Sequence, residues 1–340
     1  MRSHFRRLLI IRFSSLGDVV LSTVVLDALR QAFPQTELWM LTKAPYASLF
    51  DTDPRLTGVL QWEQDGFWKS VGRVRGMAFD AVLDLHATLR SRTLSAVLFP
   101  RKLVRYRKQR LARMSLVHVR WLRVSTRRTV DLYLDALTKF GIKGQGGMPK
   151  LFVDSAARQW VEARLRAEGI GENEELIGVH PGARWPAKRW RAEGCATVCD
   201  RMVAAGRRVV LLGGTADRPF VRHILEQMKR QPMVWVGTLD LQGLVAAIER
   251  CDVLLSNDSG PMHIGTAVGT PVVGLFGPTH PKLGFAPVGK QDMAITADVL
   301  CSPCSLHGEK PCTLPQQRCM EAISSDQVLQ ALERVLVRMS

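Results

Sequence analysis

Apolar residues along the chain gather in short runs, each followed by a polar or glycine-containing turn and then by a stretch with helical spacing. Leu8–Phe13 reads as a strand that ends in Ser14-Ser15-Leu16-Gly17-Asp18. Val19–Phe33 then has the period of one helix, and Pro34 stops it. Glu37–Leu41, Val59–Gln61, Ala81–Leu85 and Val104–Tyr106 read as further strands. Phe140–Pro149, with four glycines, reads as a connection, and Ser155–Glu168 as a helix. Polar Gly169–Glu174 is the expected domain boundary, dividing the chain into 1–170 and 171–340. The alternation then restarts. Leu176–Val179, Arg208–Leu212, Met233–Val236, Val253–Ser256 and Val272–Phe276 are strands. Arg191–Ala205, Arg218–Lys229, Leu241–Arg250 and Pro261–Val268 are helices between them. Ser325–Val337 is a closing amphipathic helix, expected to pack back on the first domain. Strands alternating with helices predict parallel sheets covered on both faces, hence an α/β fold of two Rossmann-like halves. Ligands of such halves sit at the carboxyl ends of the strands.

Composition supports a globular chain. At 340 residues, with 46% hydrophobic and 23% charged residues, it has the length for two domains and is neither disordered, collagen-like nor coiled-coil. Apolar runs such as Met202–Ala205 and Val209–Leu212 fall far short of the ~20 residues of a membrane span. At the amino end, Leu8–Ile11 is interrupted by Arg12 and no small-residue cleavage site follows, unlike a secretory signal. The expectation is a cytosolic protein able to lie against a membrane.

Charge changes that picture most. The net charge is +16, from 47 Lys and Arg against 31 Asp and Glu. No acid lies between Asp84 and Asp131, while that stretch carries Arg90, Arg92, Arg101, Lys102, Arg105, Arg107, Lys108, Arg110 and further bases. Such a run attracts a phosphate-rich partner or is simply a solvated surface rich in arginine. Nucleic acid is the poorer partner, because only Phe99, Tyr106 and Trp121 interleave with the bases as stacking platforms. Of seven cysteines, Cys195, Cys199 and Cys251 sit in apolar contexts. Cys301, Cys304, Cys312 and Cys319 cluster with a spacing that suits a structural zinc or a redox staple, or else four buried thiols in a compact loop.

Three constellations carry chemistry. Asp18 follows a strand where a helix begins, a place for a ligand, a catalytic carboxylate or a helix cap. His180–Trp190 combines Gly182 with Arg184, Lys188 and Arg189 and with two tryptophans, a set fit to hold phosphate. Asp258-Ser259-Gly260-Pro261 opens a helix with free amides suited to a diphosphate, and His263 lies just inside it. Asp51-Thr52-Asp53 has the spacing of a metal-binding Asp-x-Asp, but turn chemistry accounts for it. Neither a dinucleotide fingerprint nor a P-loop follows any strand.

Ile11–Val20, His180–Ala183 with Trp185–Trp190, Asn257–His263 and Leu275–Thr279 together resemble the signatures of glycosyltransferase family 9, the lipopolysaccharide heptosyltransferases. The late cysteine cluster is similar to one found in many members. The resemblance spans Leu8 to about Ile323. It implies a GT-B fold, two Rossmann-like domains facing across a cleft, and inverting, metal-independent transfer of heptose from ADP-heptose to the lipopolysaccharide inner core. Asp18 would be the general base. Lys188, Gly182, Ala183, Asp258, Ser259, Gly260 and His263 would hold the donor phosphates and sugar. Thr238 and Leu239 would line the adenine pocket, and Asp217 would meet the ribose. Some members carry Thr where this chain has Gly182-Ala183, so backbone amides replace hydroxyls there. Ser15, Gly17, Arg90, Arg105, Arg107 and Arg110 would face an anionic lipid-A-core acceptor at the cytoplasmic face of the inner membrane, with the bases exposed. No cofactor is required on this reading. The alternatives are a GT-B transferase of another nucleotide sugar, a sugar-nucleotide epimerase and a nucleic-acid-binding protein.

Overall fold

The computed structural model describes residues 5–62, 66–119, 126–143 and 146–337, and Trp121 of the basic run lies outside them. The chain divides into two compact units, Met1–Gln109 with Arg127–Phe152, and Arg110–Thr126 with Val153–Ser340.

In the first unit the order is β1 (Arg7–Ile11), α1 (Leu16–Ser22), α2 (Leu26–Ala32), β2 (Glu37–Lys43), α3 (Ala44–Ala47), β3 (Gly58–Trp62), α4 (Phe67–Gly76), β4 (Ala81–Asp84), α5 (Leu89–Val97) and β5 (Lys102–Arg105). Then α6 (Arg110–His118), which groups with the second unit, precedes α7 (Thr129–Leu137). The sheet is parallel, in the order β3-β2-β1-β4-β5. β1 is central because its Leu8–Ile11 are all apolar and can be buried on both faces. The strand order reverses between β1 and β4, where Ile11 is level with Asp84.

The second unit runs α8 (Ser155–Ala167), β6 (Leu176–His180), α9 (Ala192–Ala204), β7 (Arg208–Gly213), α10 (Arg218–Leu225), β8 (Met233–Val236), α11 (Leu241–Arg250) and β9 (Val253–Asn257). It continues with α12 (Gly260–Val268), β10 (Val272–Phe276), β11 (Met293–Thr296), α13 (Arg318–Glu321) and α14 (Ser325–Val337). Its parallel sheet has the order β11-β10-β9-β6-β7-β8, a doubly wound Rossmann order with the switch point between β6 and β9.

Four expectations differ from what is found. The helix expected over Val19–Phe33 starts at Leu16 and breaks into α1, a 3-10 turn at Thr23–Val25 and α2. The hydroxyls of Ser22 and Thr23 donate back to the carbonyls of Val19 and Val20, and Thr23 also accepts from the Lys150 amide, which favours the tighter turn. The units part after Phe152, not at 170, because α8 packs on α11 and Arg158 forks onto Glu249 with both bonds at 2.8 Å. The basic run is split, since Arg110–Thr126 belongs with the second unit. There Arg113 lies 4.6 Å over the Phe285 ring and the Thr126 hydroxyl donates to the Lys282 carbonyl. Finally, α14 packs on α9 and the β9–β10 side of its own unit, burying Val328, Leu332 and Val335 in that core. Among the described residues no helix is long and apolar enough to cross a membrane.

Leu332 is fully buried in this core. Leu332→Ala should lower the unfolding free energy by about 2–5 kcal/mol, the range for truncating a buried leucine. Urea denaturation followed by circular dichroism tests this, and a loss below about 1 kcal/mol would place α14 outside the core.

Candidate active site

At the carboxyl end of β1 the chain turns through Ser14 and Ser15 into α1. Asp18 sits in the first turn of that helix, and Ser15 holds the cap position without capping it. The Ser15 hydroxyl donates instead to Asp18 Oδ2 at 3.0 Å. Arg12 Nη2 lies 2.7 Å from the same oxygen. Arg12 is itself buried, donates to the Leu85 carbonyl at 2.6 Å and lies against the Tyr133 ring. Burial works against its charge, yet Asp18, Tyr133 and Tyr106 outweigh it, so the guanidinium pKa is raised. A permanent cation therefore holds the Asp18 carboxylate in place, partly open to solvent. Gly17 is buried beside it.

Two residues that sequence reasoning passed over complete this end of the sheet. Asp84, fully buried at the end of β4, accepts from the backbone amides of His86 and Ala87, from the Ser91 hydroxyl at 3.0 Å and from Arg105 Nε at 3.2 Å. His86 stands edge-on to Phe13, with ring centroids 4.9 Å apart, and its buried Nδ1 has no hydrogen-bond partner among the described residues. Burial first, then the charges of Arg12 and Lys108, push its pKa down to about 3. Asp84 ends an apolar strand and His86 lies two residues on, and Asp-Leu-His has no signature of its own; what could have pointed to them is their place at the switch point.

The basic residues do not behave alike. Arg107, Lys108 and Arg110 are exposed, as expected, and so is Arg90. Arg105 is only half-exposed because the buried Asp84 carboxylate needs its charge. Arg90, Arg105 and Arg107 lie in the first unit and Arg110 in the second. Asp53 is buried in an ion pair with Arg55 at 2.7 Å and accepts from the Arg55 amide, so the Asp-x-Asp spacing is turn chemistry.

In the second unit the loop after β6 and the loop after β9 meet. Asn257 Nδ2 donates to the Pro181 carbonyl at 2.6 Å, and the Trp190 amide donates to Asn257 Oδ1. Lys188 Nζ lies 2.6 Å from Asp258 Oδ2, and the Thr279 hydroxyl donates to the same oxygen at 2.7 Å. Asp258 therefore joins three of the motifs. Ser259 is the cap residue of α12 without a side-chain cap bond, Gly260 and Pro261 begin the helix, and His263 is buried one turn in. On the other flank, Gly182 permits a close approach, since a Cβ there would stand 2.3 Å from Asp217 Oδ1. Asp217 Oδ2 accepts from the Gly214 amide, with His180 and Arg189 nitrogens each 4.0 Å from the carboxylate. Ala183 is buried and its carbonyl accepts from Arg189. Thr238 and Leu239 follow β8, and the Thr238 hydroxyl is engaged with Arg164 and the Trp235 carbonyl.

The late cysteine loop touches this site. The amides of Cys304 and Ser305 donate to the Pro278 carbonyl, the Ser302 hydroxyl donates to the Gly277 carbonyl, and Gln317 donates to the Ala187 carbonyl. Gly308, at a φ of +79°, lies on the Lys188 stem, and a Cβ there would stand 2.5 Å from Lys188 Cγ. The structural zinc expected at Cys301, Cys304, Cys312 and Cys319 is not supported: among the described residues no three His, Cys, Asp or Glu side chains form a group that could hold a metal. Cys319 is buried while Cys304 and Cys312 are exposed, because the loop is pinned through its backbone to the Gly277–Pro278 turn.

A sequence profile described as glycosyltransferase family 9 (heptosyltransferase) matches residues 67–314. The chain belongs to glycosyltransferase family 9. It is thus a glycosyltransferase. It is 26% identical over 307 residues to the lipopolysaccharide core heptosyltransferase OpsX of Haemophilus influenzae, covering 86% of this chain and 84% of that one. A family 9 glycosyltransferase from Veillonella parvula superposes with a TM-score of 0.83 at 26% identity, covering 99% of both chains. The ADP-heptose lipopolysaccharide heptosyltransferase II of E. coli superposes with a TM-score of 0.78 at 22% identity, covering 98% of this chain and 99% of that one. The expected GT-B fold class, with two parallel-sheet α/β domains, is the one found.

The neutral His86 ring generates a pH prediction. An unfolded histidine binds a proton near pH 6.5, whereas this one resists protonation down to about 3. Its contribution to stability is complete above about pH 6.5 and is lost as the pH falls from there. Denaturation at about pH 7.5 and about pH 5 should show a smaller loss of stability in His86→Gln than in the parent chain. An identical loss in the two would mean that the ring is free to take a proton in the fold.

Proposed function

We propose that this family 9 enzyme transfers heptose from ADP-heptose to an anionic lipopolysaccharide inner core, with inversion and without a metal. The observation that carries the reading is the Lys188 ammonium, held by Asp258 beside the amino end of α12. ADP leaving a sugar gains negative charge, and an ammonium with the free amides of a helix amino terminus meets that charge without a divalent ion. The substrate named for the E. coli heptosyltransferase II and the lipopolysaccharide core named for the H. influenzae relative support the choice of donor and acceptor.

On this reading the second unit holds the donor. Lys188 leaves Asp258 for the diphosphate, while Thr279 keeps the Asp258 carboxylate in position. Gly182, Ala183, Ser259 and Gly260 offer backbone amides, and His263 and Asp258 border the sugar. Asp217 meets the ribose, and Thr238 and Leu239, just after β8, line the adenine pocket. The first unit holds the acceptor. Asp18 takes the proton of the attacking hydroxyl, and the Arg12 and Ser15 contacts hold its carboxylate in position. Gly17 lets the acceptor approach that turn, and Arg90, Arg105, Arg107 and Arg110 counter acceptor phosphates and acidic sugars. The enzyme works in the cytoplasm against the inner leaflet, where unopposed bases are drawn to anionic lipid.

The direct test is incubation with ADP-heptose and core-truncated lipopolysaccharides, with linkage and anomeric configuration read by mass spectrometry and NMR. Transfer should persist in EDTA. Activity abolished by EDTA and restored by manganese would end the metal-independent reading.

Asp18→Asn removes the base and keeps the size. Turnover should fall roughly 10²–10⁴-fold, and the melting temperature should fall as well, because the buried Arg12 guanidinium loses its carboxylate. Unchanged turnover in a less stable protein would make the carboxylate a structural partner of Arg12 only. Gly308→Ala should weaken ADP binding in calorimetry by displacing the Lys188 stem, and Lys188→Ala provides the reference for complete loss of the ammonium. Binding as tight as the parent's in Gly308→Ala would mean that the stem can shift without moving the ammonium from the phosphates.

A further inference from the structure

Phe99 is explained by neither packing nor backbone preference. It follows the end of α5 with a φ of +44°, a left-handed conformation in which glycine is at ease and a bulky side chain is strained. Its side chain projects outward with the residue 81% exposed, so no core contact offsets that strain. Strain kept without a packing return marks a functional position.

Leu89, at the other end of α5, is also 81% exposed. The inner side of α5 is settled by buried Ser91, Leu94 and Ser95, with Ser91 bonded to Asp84. Helical spacing then turns Leu89, Arg92 and Ala96 outward, and all three are exposed. Arg90 and Arg92 are exposed and pair with no carboxylate among the described residues, and Lys102 is exposed at the start of edge strand β5. Two large apolar side chains thus project from a surface whose charge is carried by cations.

We propose that the outward face of α5 is a membrane-docking surface, with Leu89 and Phe99 entering the headgroup–acyl boundary of an anionic bilayer and Arg92 and Lys102 meeting lipid phosphates. Charge complementarity selects this occupant: a basic surface with apolar anchors suits an anionic interface and repels a second copy of the same basic face. The proposal rests on the reading of the chain as a transferase acting on a lipid-borne acceptor, and it supplies the anchors that charge alone leaves out. None of these four residues belongs to the Asp18 or Lys188 clusters.

The test is sedimentation of the full chain, without substrates, with vesicles of phosphatidylglycerol and phosphatidylethanolamine or of phosphatidylcholine alone. The parent chain should partition onto the anionic vesicles. The double variant Leu89→Ser, Phe99→Gly should partition at least ten-fold less, while Leu300→Ser, which alters another exposed leucine, should match the parent. Phe99→Gly should leave the melting temperature unchanged or raised, which separates lost docking from lost folding. Turnover on a short soluble acceptor should be equal in all of these. Equal partition of the double variant and the parent overturns the docking surface and leaves the transferase reading standing. A parent that ignores anionic vesicles but transfers to soluble acceptor overturns it too. So does a concentration-dependent dimer of the parent that the double variant loses, since the face would then be covered by a second copy.

Discussion

A guanidinium buried at the end of a central strand must keep its charge and therefore must have a carboxylate. Arg12 is in that position, and Asp18 is the carboxylate that answers it. The pairing dictates how the chain leaves β1. The turn through Ser15 has to deliver Asp18 back over the strand end, and the Ser15 hydroxyl fixes its second contact. Arg12 also bonds the Leu85 carbonyl, so it ties the ends of β1 and β4 across the switch point. Asp84 draws in Arg105 and α5 from the other side. The carboxyl end of the first sheet thus carries two charged pairs, Arg12–Asp18 and Arg105–Asp84, and Arg12 is bonded to the carbonyl of the residue next to Asp84.

The second unit solves the complementary problem with the signs exchanged. Asp258 is the buried group, and Lys188 and Thr279 are brought to it from separate loops. Asn257 clamps the loop after β6 to the loop after β9, so the lysine is delivered by backbone geometry and not by its own flexible chain alone. A cation already partnered is neither free to wander nor expensive to hold, and a diphosphate arriving there would exchange one anion for another.

Much of this was legible beforehand because parallel strands buried on both faces leave uninterrupted apolar runs. Leu8–Ile11, Leu176–Val179 and Val253–Ser256 are such runs, and the polar turns after them carry Asp18, Lys188 and Asp258. What escaped was tertiary in origin. The break of the helix after Ser22 depends on the Lys150 amide reaching Thr23, a contact distant in sequence. The division after Phe152 depends on Arg158 finding Glu249, and polar Gly169–Glu174 mimics a linker while serving only as the turn into β6. β11 is a short edge strand with one neighbour and a partly exposed pattern, and its run Met293-Ala294-Ile295 stands outside the strand–helix alternation that revealed its fellows. The cysteine spacing suggested a shared ligand, whereas the loop's backbone is bonded to Gly277 and Pro278.

The assignment of α6 bears on how such a chain can be recombined. Arg110–Thr126 is inserted in sequence between two parts of the first unit, yet Arg113 lies over Phe285 of the second. A single crossover between two relatives at the linker after Phe152 would therefore give a chimera whose second unit met a foreign α6. Exchange of whole units requires three junctions, two of them flanking α6. The two units are accordingly inherited less independently than a two-domain chain with one linker would allow, and substitutions in α6 are expected to track those around Phe285.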